Sequence, residues 1–416
     1  MLIEELHQSR FVLLGSVSIL VRNRNVFLAL MLIISALKLV FSLIVPASYD
    51  LRDIIMLFGS GHNPVGPWIA LYPPLYNQST YTLTQLAAWS STTPSSMSFS
   101  LRLVSLLFRL PVFAFDVATA IALYYAGRRM TSAVVGKWAS LLWFVNPYSL
   151  FSIELLGVPD AVATFLVIMT FLFLISNRHV VAGVFLGLGV WVKFYPILLL
   201  PPLLLYAHAN GVSRKQIISV LYLTLVGLLG YIGWISPFGL TYLTHYTPVT
   251  QPLPFIAGEN VVNGTALWLI LFYCLLGLFV KKAKTLLSPL LLTLLVYYAL
   301  SNPYPQYLIW AMPLMALDVT LASTGRRVLF GIFYALAFVQ WFFLSSAFLT
   351  PSGYSLLMIP LGGNNVPWYS QAIGRFLDSP LHGLILPIVS SSFYASVLIY
   401  AADLTRSLFG IGRSGG

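Results

Sequence analysis

Charge is scarce in this 416-residue chain. Asp, Glu, Lys and Arg make up only 8% of it, and the acids number 11. A soluble chain of this length carries about a quarter charged residues to cover its surface, so a soluble globular protein is excluded. Cysteine is almost absent too. Cys274 stands alone in an apolar run, so no internal disulfide can form and a free core thiol is expected. No Gly-rich phosphate loop or Rossmann pattern occurs, and so no nucleotide-sugar site is expected. The alternating ten-residue strands of an outer-membrane barrel are missing. "MLIEELHQSR" carries two glutamates and no small-residue cleavage site follows it, so no cleavable signal peptide is expected.

What is present is apolar. Hydrophobic residues make up 59% of the chain and mean hydropathy is +0.88. The runs recur along the whole length, which predicts an all-α polytopic membrane protein. About 12 transmembrane helices are expected, near 26–47, 101–126, 132–153, 159–177, 180–192, 194–209, 216–236, 264–280, 285–300, 305–323, 327–349 and 382–403. They form one integral-membrane domain, 1–416. Residues 1–25 are a cytoplasmic or interfacial N-terminal segment. Residues 49–100 form a long outer loop carrying short amphipathic helices, and 350–381 form a second outer loop.

The net charge of +11 does not imply nucleic acid. With both termini in the cytoplasm, all the basic residues fall on the cytoplasmic side except Lys38, Arg52, Arg102, Arg109, Lys193 and Arg375. That is the positive-inside bias. It also decides the stretch 180–209. One long helix there would put Lys281, Lys282, Arg326 and Arg327 outside, so a hairpin is predicted. Its arms of about 13–16 residues span roughly 20–24 Å at 1.5 Å per residue, short of a ~30 Å hydrocarbon core. The turn at "VKFYP" should therefore be recessed inside a protein-lined cavity. Lys193, at that turn, either snorkels to headgroups or anchors an anionic headgroup or phosphate.

The topology brings further polar residues to the outer side. Asp50, Arg52, Asp53 and His62 follow the first span, with Tyr72 further along that loop. Asn146-Pro147 breaks a helix, and Glu154 and Asp160 flank the break. A carboxylate this close to lipid is costly, so both should face protein or a water-filled site. Tyr304, Gln306 and Tyr307 sit beside Trp310 in "NPYPQYLIW". Charged groups gathered at one outer cavity suit an anionic, amphiphilic substrate and a carboxylate that takes a proton. Arg109 and Asp116, seven residues apart, share a helix face. They pair with each other or with neighbours, and structural and functional roles are equally open. Lys38 and Asp318 read as lone membrane charges without a function.

At these places the chain resembles the GT-C superfamily of integral-membrane glycosyltransferases, which use polyprenyl-phosphate sugars. The likeness is to the GPI mannosyltransferase I type and its prokaryotic relatives, and covers roughly residues 40–320. It rests on the order of six stretches: "YDLRDIIML", "YPPLY", "LFRLPVFAFDVATAIALYY", "NPYSLFSIELLGVPDAVATFLV", "AGVFLGLGVWVKFYPILLLPPLLLY" and "PQYLIWAMPLM". The chain departs from the pattern in two respects. Its acids are three apart rather than Asp-x-Asp, and Val158-Pro159 replaces Gly-Gln before Asp160.

The resemblance implies transfer of a sugar, mannose by likeness, from a polyprenyl or dolichyl phosphate to an acceptor hydroxyl of a lipid-linked or glycolipid acceptor, with inversion. It implies that Asp50 takes the acceptor proton and that Asp53 orients the acceptor or supports the base. Lys193, with Tyr195, Gln306 and Tyr307, would hold the donor phosphate or sugar. Arg52, His62, Tyr72, Arg109, Asp116, Glu154 and Asp160 are further substrate-binding candidates. No cofactor is expected, and Asp50 and Asp53 are too few ligands to argue for a divalent metal. Two rivals remain. A transporter or lipid-linked-sugar flippase fits the span count, although no related halves are evident. A glycan polymerase or ligase would rely on a large outer loop rich in Arg and His, which this chain lacks.

Overall fold

The computed structural model describes residues 23–44, 94–150, 153, 160–235, 272–273, 286–300, 305–348 and 379–409. Among the described residues the protein is all-helical, with no strand. The longer helices are α1 (Arg24–Ile44), α2 (Pro94–Met130), α3 (Ala133–Phe144), α4 (Asp160–Ile175), α5 (His179–Val192), α6 (Leu200–Ala209), α7 (Arg214–Ile235), α8 (Leu287–Leu300), α9 (Met312–Leu321), α10 (Thr324–Phe348) and α11 (Pro380–Phe409). Tyr195–Leu199 and Pro305–Trp310 are 3₁₀ turns leading into α6 and α9. These helices stand where spans were expected, except for 264–280, which lies almost wholly outside the described residues, as does Cys274. Arg109–Met130 and Arg214–Gly233 are long and apolar enough to cross a membrane, by length and composition.

Close backbone approaches set the helix directions. A Cβ on Gly127 would lie 2.7 Å from Gly136 Cα, and Ser140 donates its hydroxyl proton to the Ala120 carbonyl, so α2 and α3 form a tight antiparallel pair. Gly183 meets Val220, Gly187 meets Leu223 and Gly227, and Trp191 lies over Gly230. Those contacts advance together along both helices, so α5 and α7 run parallel. The chain between them must therefore cross back, and residues 193–213 do so. This is the hairpin expected for 180–209. Small residues at such a crossing let two backbones touch. A Cβ on Gly227 would collide with the Gly187 carbonyl oxygen. Gly227→Val is expected to force the pair apart and to cost more than about 1–3 kcal/mol, seen as a lowered melting temperature of the purified protein.

The helix breaks follow from local chemistry. Pro196 has no N–H to offer the Val192 carbonyl, so α5 stops and Lys193 turns to extended backbone (φ −152°, ψ 141°). Pro147 likewise has no N–H for Trp143, whose carbonyl instead accepts from Ser149 Oγ at 3.1 Å. The opposite ends close with left-handed caps at Asn177 (φ 58°) and Gly211 (φ 71°), which bring Arg178 N to Phe173 O and Val212 N to Ala207 O. Proline breaks therefore gather at one end of the bundle. The other end carries Arg128, Arg129, Lys137, Arg178, Arg214 and Arg326.

Lys38 and Asp318 are not lone charges. Lys38 Nζ lies 2.6 Å from Asp116 Oδ2, and Asp318 accepts from Arg326 Nη1 at 3.3 Å and from the Tyr400 hydroxyl at 2.8 Å. Arg326 Nε also reaches Asp403, joining α9, α10 and α11 at the basic end. Hydropathy gave each residue in isolation, whereas the pairs form across helices.

Candidate functional site

The site is built where helices break. Asp160 is the first residue of α4, where the helix dipole favours a carboxylate. It is buried, with 1% of its surface exposed. Both its oxygens are engaged: Oδ1 accepts from Trp310 Nε1 at 2.6 Å, and Oδ2 lies 3.5 Å from Lys193 Nζ. Lys193 caps α5, its N–H bonded to the Gly189 carbonyl. Its side chain is 16% exposed, so the ammonium is anchored yet still reachable. From His179 to Lys193 is 14 residues, or about 21 Å of helix. That length is shorter than a ~30 Å hydrocarbon core.

Tyr195 and Trp310 lie face to face, with ring centroids 3.9 Å apart and planes 5° from parallel. Tyr297 extends the stack, its centroid 6.3 Å from Trp310. The Tyr195 hydroxyl meets Thr164 Oγ1 at 3.3 Å on α4. Three segments far apart in sequence are so tied together: the start of α4, the turn after α5 and the turn before α9. Tyr195 is buried and holds the lysine-bearing turn against Trp310.

A second polar cluster lies at the same end. Lys38 donates to Asp116 Oδ2 and, at 3.2 Å, to Ser149 Oγ, with the Phe144 ring 4.8 Å from its nitrogen. Arg109 Nη1 donates to the Ser42 carbonyl at 2.9 Å. Arg109 and Asp116 do share a face of α2, as their spacing predicted, and both reach across to α1. Phe115 on α2 packs on Phe165 of α4, with centroids 5.4 Å apart, and links the clusters.

The structure thus brings Lys193, Tyr195 and Asp160 into one constellation and sets Arg109 and Asp116 beside α1. Gln306 and Tyr307 lie in the 3₁₀ turn that delivers Trp310. Asp50, Arg52, Asp53, His62, Tyr72 and Glu154 lie outside the described residues. Sequence reasoning missed the donor role of Trp310, the hydroxyl of Thr164 and the part played by Lys38. The Gln-Tyr-x-x-Trp spacing was the one available signal for Trp310. Among the described residues no cluster of His, Cys, Asp and Glu could hold a metal.

Comparison with known proteins adds the chemistry. A GPI mannosyltransferase 1 of Saccharomyces cerevisiae is 29% identical over 168 residues, 38% of this chain and 39% of that protein. Over that stretch the chain is similar to GPI mannosyltransferases. A GPI mannosyltransferase 1 of Dictyostelium discoideum is 36% identical over 73 residues, 18% of this chain and 16% of its own length. That of Debaryomyces hansenii is 29% identical over 87 residues, 21% and 20% of the two chains. The alignments span at most about two fifths of these relatives. The family model described as "GPI transamidase subunit PIG-U" matches residues 41–247. That match contains Arg109, Asp116, Asp160 and Lys193.

Proposed function

We propose that this chain is an inverting glycosyltransferase of the membrane, moving mannose from a polyprenyl or dolichyl phosphate to a hydroxyl of a glycolipid acceptor. The observation that carries the reading is the largely buried Lys193, braced by Asp160, Tyr195 and Trp310, in a chain whose relatives are named mannosyltransferases. In this reading the basic end of the bundle faces the cytoplasm, as the positive-inside rule favours, and Lys193 belongs to the outer side.

In this mechanism the acceptor oxygen attacks the sugar's anomeric carbon as the bond from that carbon to the phosphate oxygen breaks. The acceptor proton passes to Asp50, with Asp53 supporting it. The phosphate leaves with the bonding electrons, and Lys193 neutralises the charge that develops on it. Asp160 fixes the lysine, and the Tyr195–Trp310 stack fixes the turn that carries it.

A second reading follows from the transamidase-subunit description: a non-catalytic subunit that uses the same residues to bind a GPI-type lipid. Purified protein incubated with radiolabelled polyprenyl-phosphate mannose and a panel of glycolipid acceptors separates the two. Label moving into the acceptor is the expected result. Donor or acceptor binding without transfer, in folded protein, would leave the subunit reading.

A further inference from the structure

Helix α1 packs thinly. Of its described side chains only Phe27, Lys38 and Ser42 are buried, while Leu28, Leu32, Ile33, Leu37 and Val40 are exposed. Leu30, Met31 and Ile34 pack partly buried beside Phe27, and these apolar anchors stop ten residues short of the end of the 21-residue helix. What holds that end is polar, and it comes from two points on α2. Asp116 takes the ammonium of Lys38 at 2.6 Å, and Arg109, 1% exposed, donates to the carbonyl of Ser42 at 2.9 Å. Ser42 is among the last four residues of α1, whose carbonyls have no partner within the helix. Arg109 is therefore a helix cap supplied from another helix. Ser149 completes the grip by accepting from Lys38, and it is itself tied to the Trp143 and Asn146 carbonyls.

We propose that Arg109, Asp116 and Lys38 are positioning residues that hold the end of α1, and so place the acidic segment that follows it. This rests on the reading of Asp50 as the base. Asp50 follows Ile44 by six residues, and six residues span at most about 20 Å. A short tether passes any shift of its anchor on to the reacting groups. The grip also explains why two costly charges stand seven residues apart on one face of α2. Their partners on α1 are four residues apart, one a side chain and one a terminal carbonyl. Neither Arg109 nor Asp116 needs to touch substrate for this.

The experiment compares Arg109→Met, Arg109→Lys and the apolar double variant Lys38→Met/Asp116→Leu in full-length protein in nanodiscs. The double variant removes both members of the Lys38–Asp116 pair rather than stranding one, so it guards against an Arg109→Met protein that does not fold. Turnover and donor KM are read with polyprenyl-phosphate mannose, and amide exchange is read at residues 39–44. Arg109→Met and the double variant should lower kcat by about 10²-fold with donor KM within about twofold. Arg109→Lys, which still donates to the carbonyl, should recover most of the loss. Exchange at residues 39–44 should quicken in Arg109→Met and stay slow in Arg109→Lys. Normal turnover and unchanged exchange in either apolar variant overturns the proposal, and so does a kcat loss that Arg109→Lys fails to rescue. The exchange readout needs no activity, so it tests the grip even if transfer itself is never seen. An Asp50→Asn enzyme at full turnover, beside a slow Arg109→Met, would remove the base and leave the grip standing.

Discussion

An Asp50→Asn enzyme is expected to fold, bind donor with near-normal KM and turn over about 10²–10⁴-fold more slowly. The expectation follows from what inversion requires. The acceptor hydroxyl must lose its proton as it attacks, and one well-placed carboxylate is enough to take it. Asn matches Asp in size and keeps its hydrogen-bonding oxygen, but it cannot accept the proton at neutral pH. The loss should therefore fall on kcat and leave donor affinity alone, because the proposed mechanism holds the donor elsewhere, at Lys193. Asp53→Asn should cost less, because Asp53 supports the base and does not itself take the proton. Single-turnover assays with saturating donor measure this, with donor binding measured separately. Near-normal turnover in Asp50→Asn removes that residue from the mechanism. Equal losses in both variants would mean that the two acids work as one unit, and the roles assigned to them would have to be merged.

How much of this could be read from the chain depended on whether the cause was local. The break at Lys193 was legible, because Pro196 acts on its own helix and the charge bias of later loops reports the fold-back. The parallel course of α5 and α7 is the same statement in three dimensions. The shared face of Arg109 and Asp116 was also legible, from their seven-residue spacing. What that face meets was not. Lys38 looked solitary because its partners lie 78 and 111 residues away in sequence, at Asp116 and Ser149. Asp318 looked solitary because its partners stand on two other helices, Arg326 only eight residues on and Tyr400 82 residues on. Helix registry across a bundle leaves no trace in local hydropathy. Trp310 illustrates the intermediate case. Its position beside a polar turn marked it as interesting, yet its indole proton goes to a carboxylate 150 residues away.

Replacing Lys193 with Met should lower turnover by about 10²–10³-fold, the usual cost of removing one preorganised group that meets developing negative charge. Two effects combine in this variant. The departing phosphate loses its counter-charge, and Asp160 is left buried with the Trp310 indole but without its ammonium. Companion variants separate them. Asp160→Asn leaves the ammonium in place and loosens only its anchor, so donor KM should rise while kcat falls by about tenfold at most. Trp310→Phe keeps the stack on Tyr195 and removes the indole donor, and should resemble Asp160→Asn. Lys193→Met/Asp160→Asn removes the stranded carboxylate, so any loss due to that stranding should return while the phosphate defect persists. Lys193→Arg keeps the charge on a broader head and should retain part of the activity. The outcomes divide the two roles left open for this lysine. If it only snorkels toward headgroups, Met at 193 should leave donor KM and kcat almost unchanged. If it clamps a phosphodiester, the double variant should stay slow however well it folds.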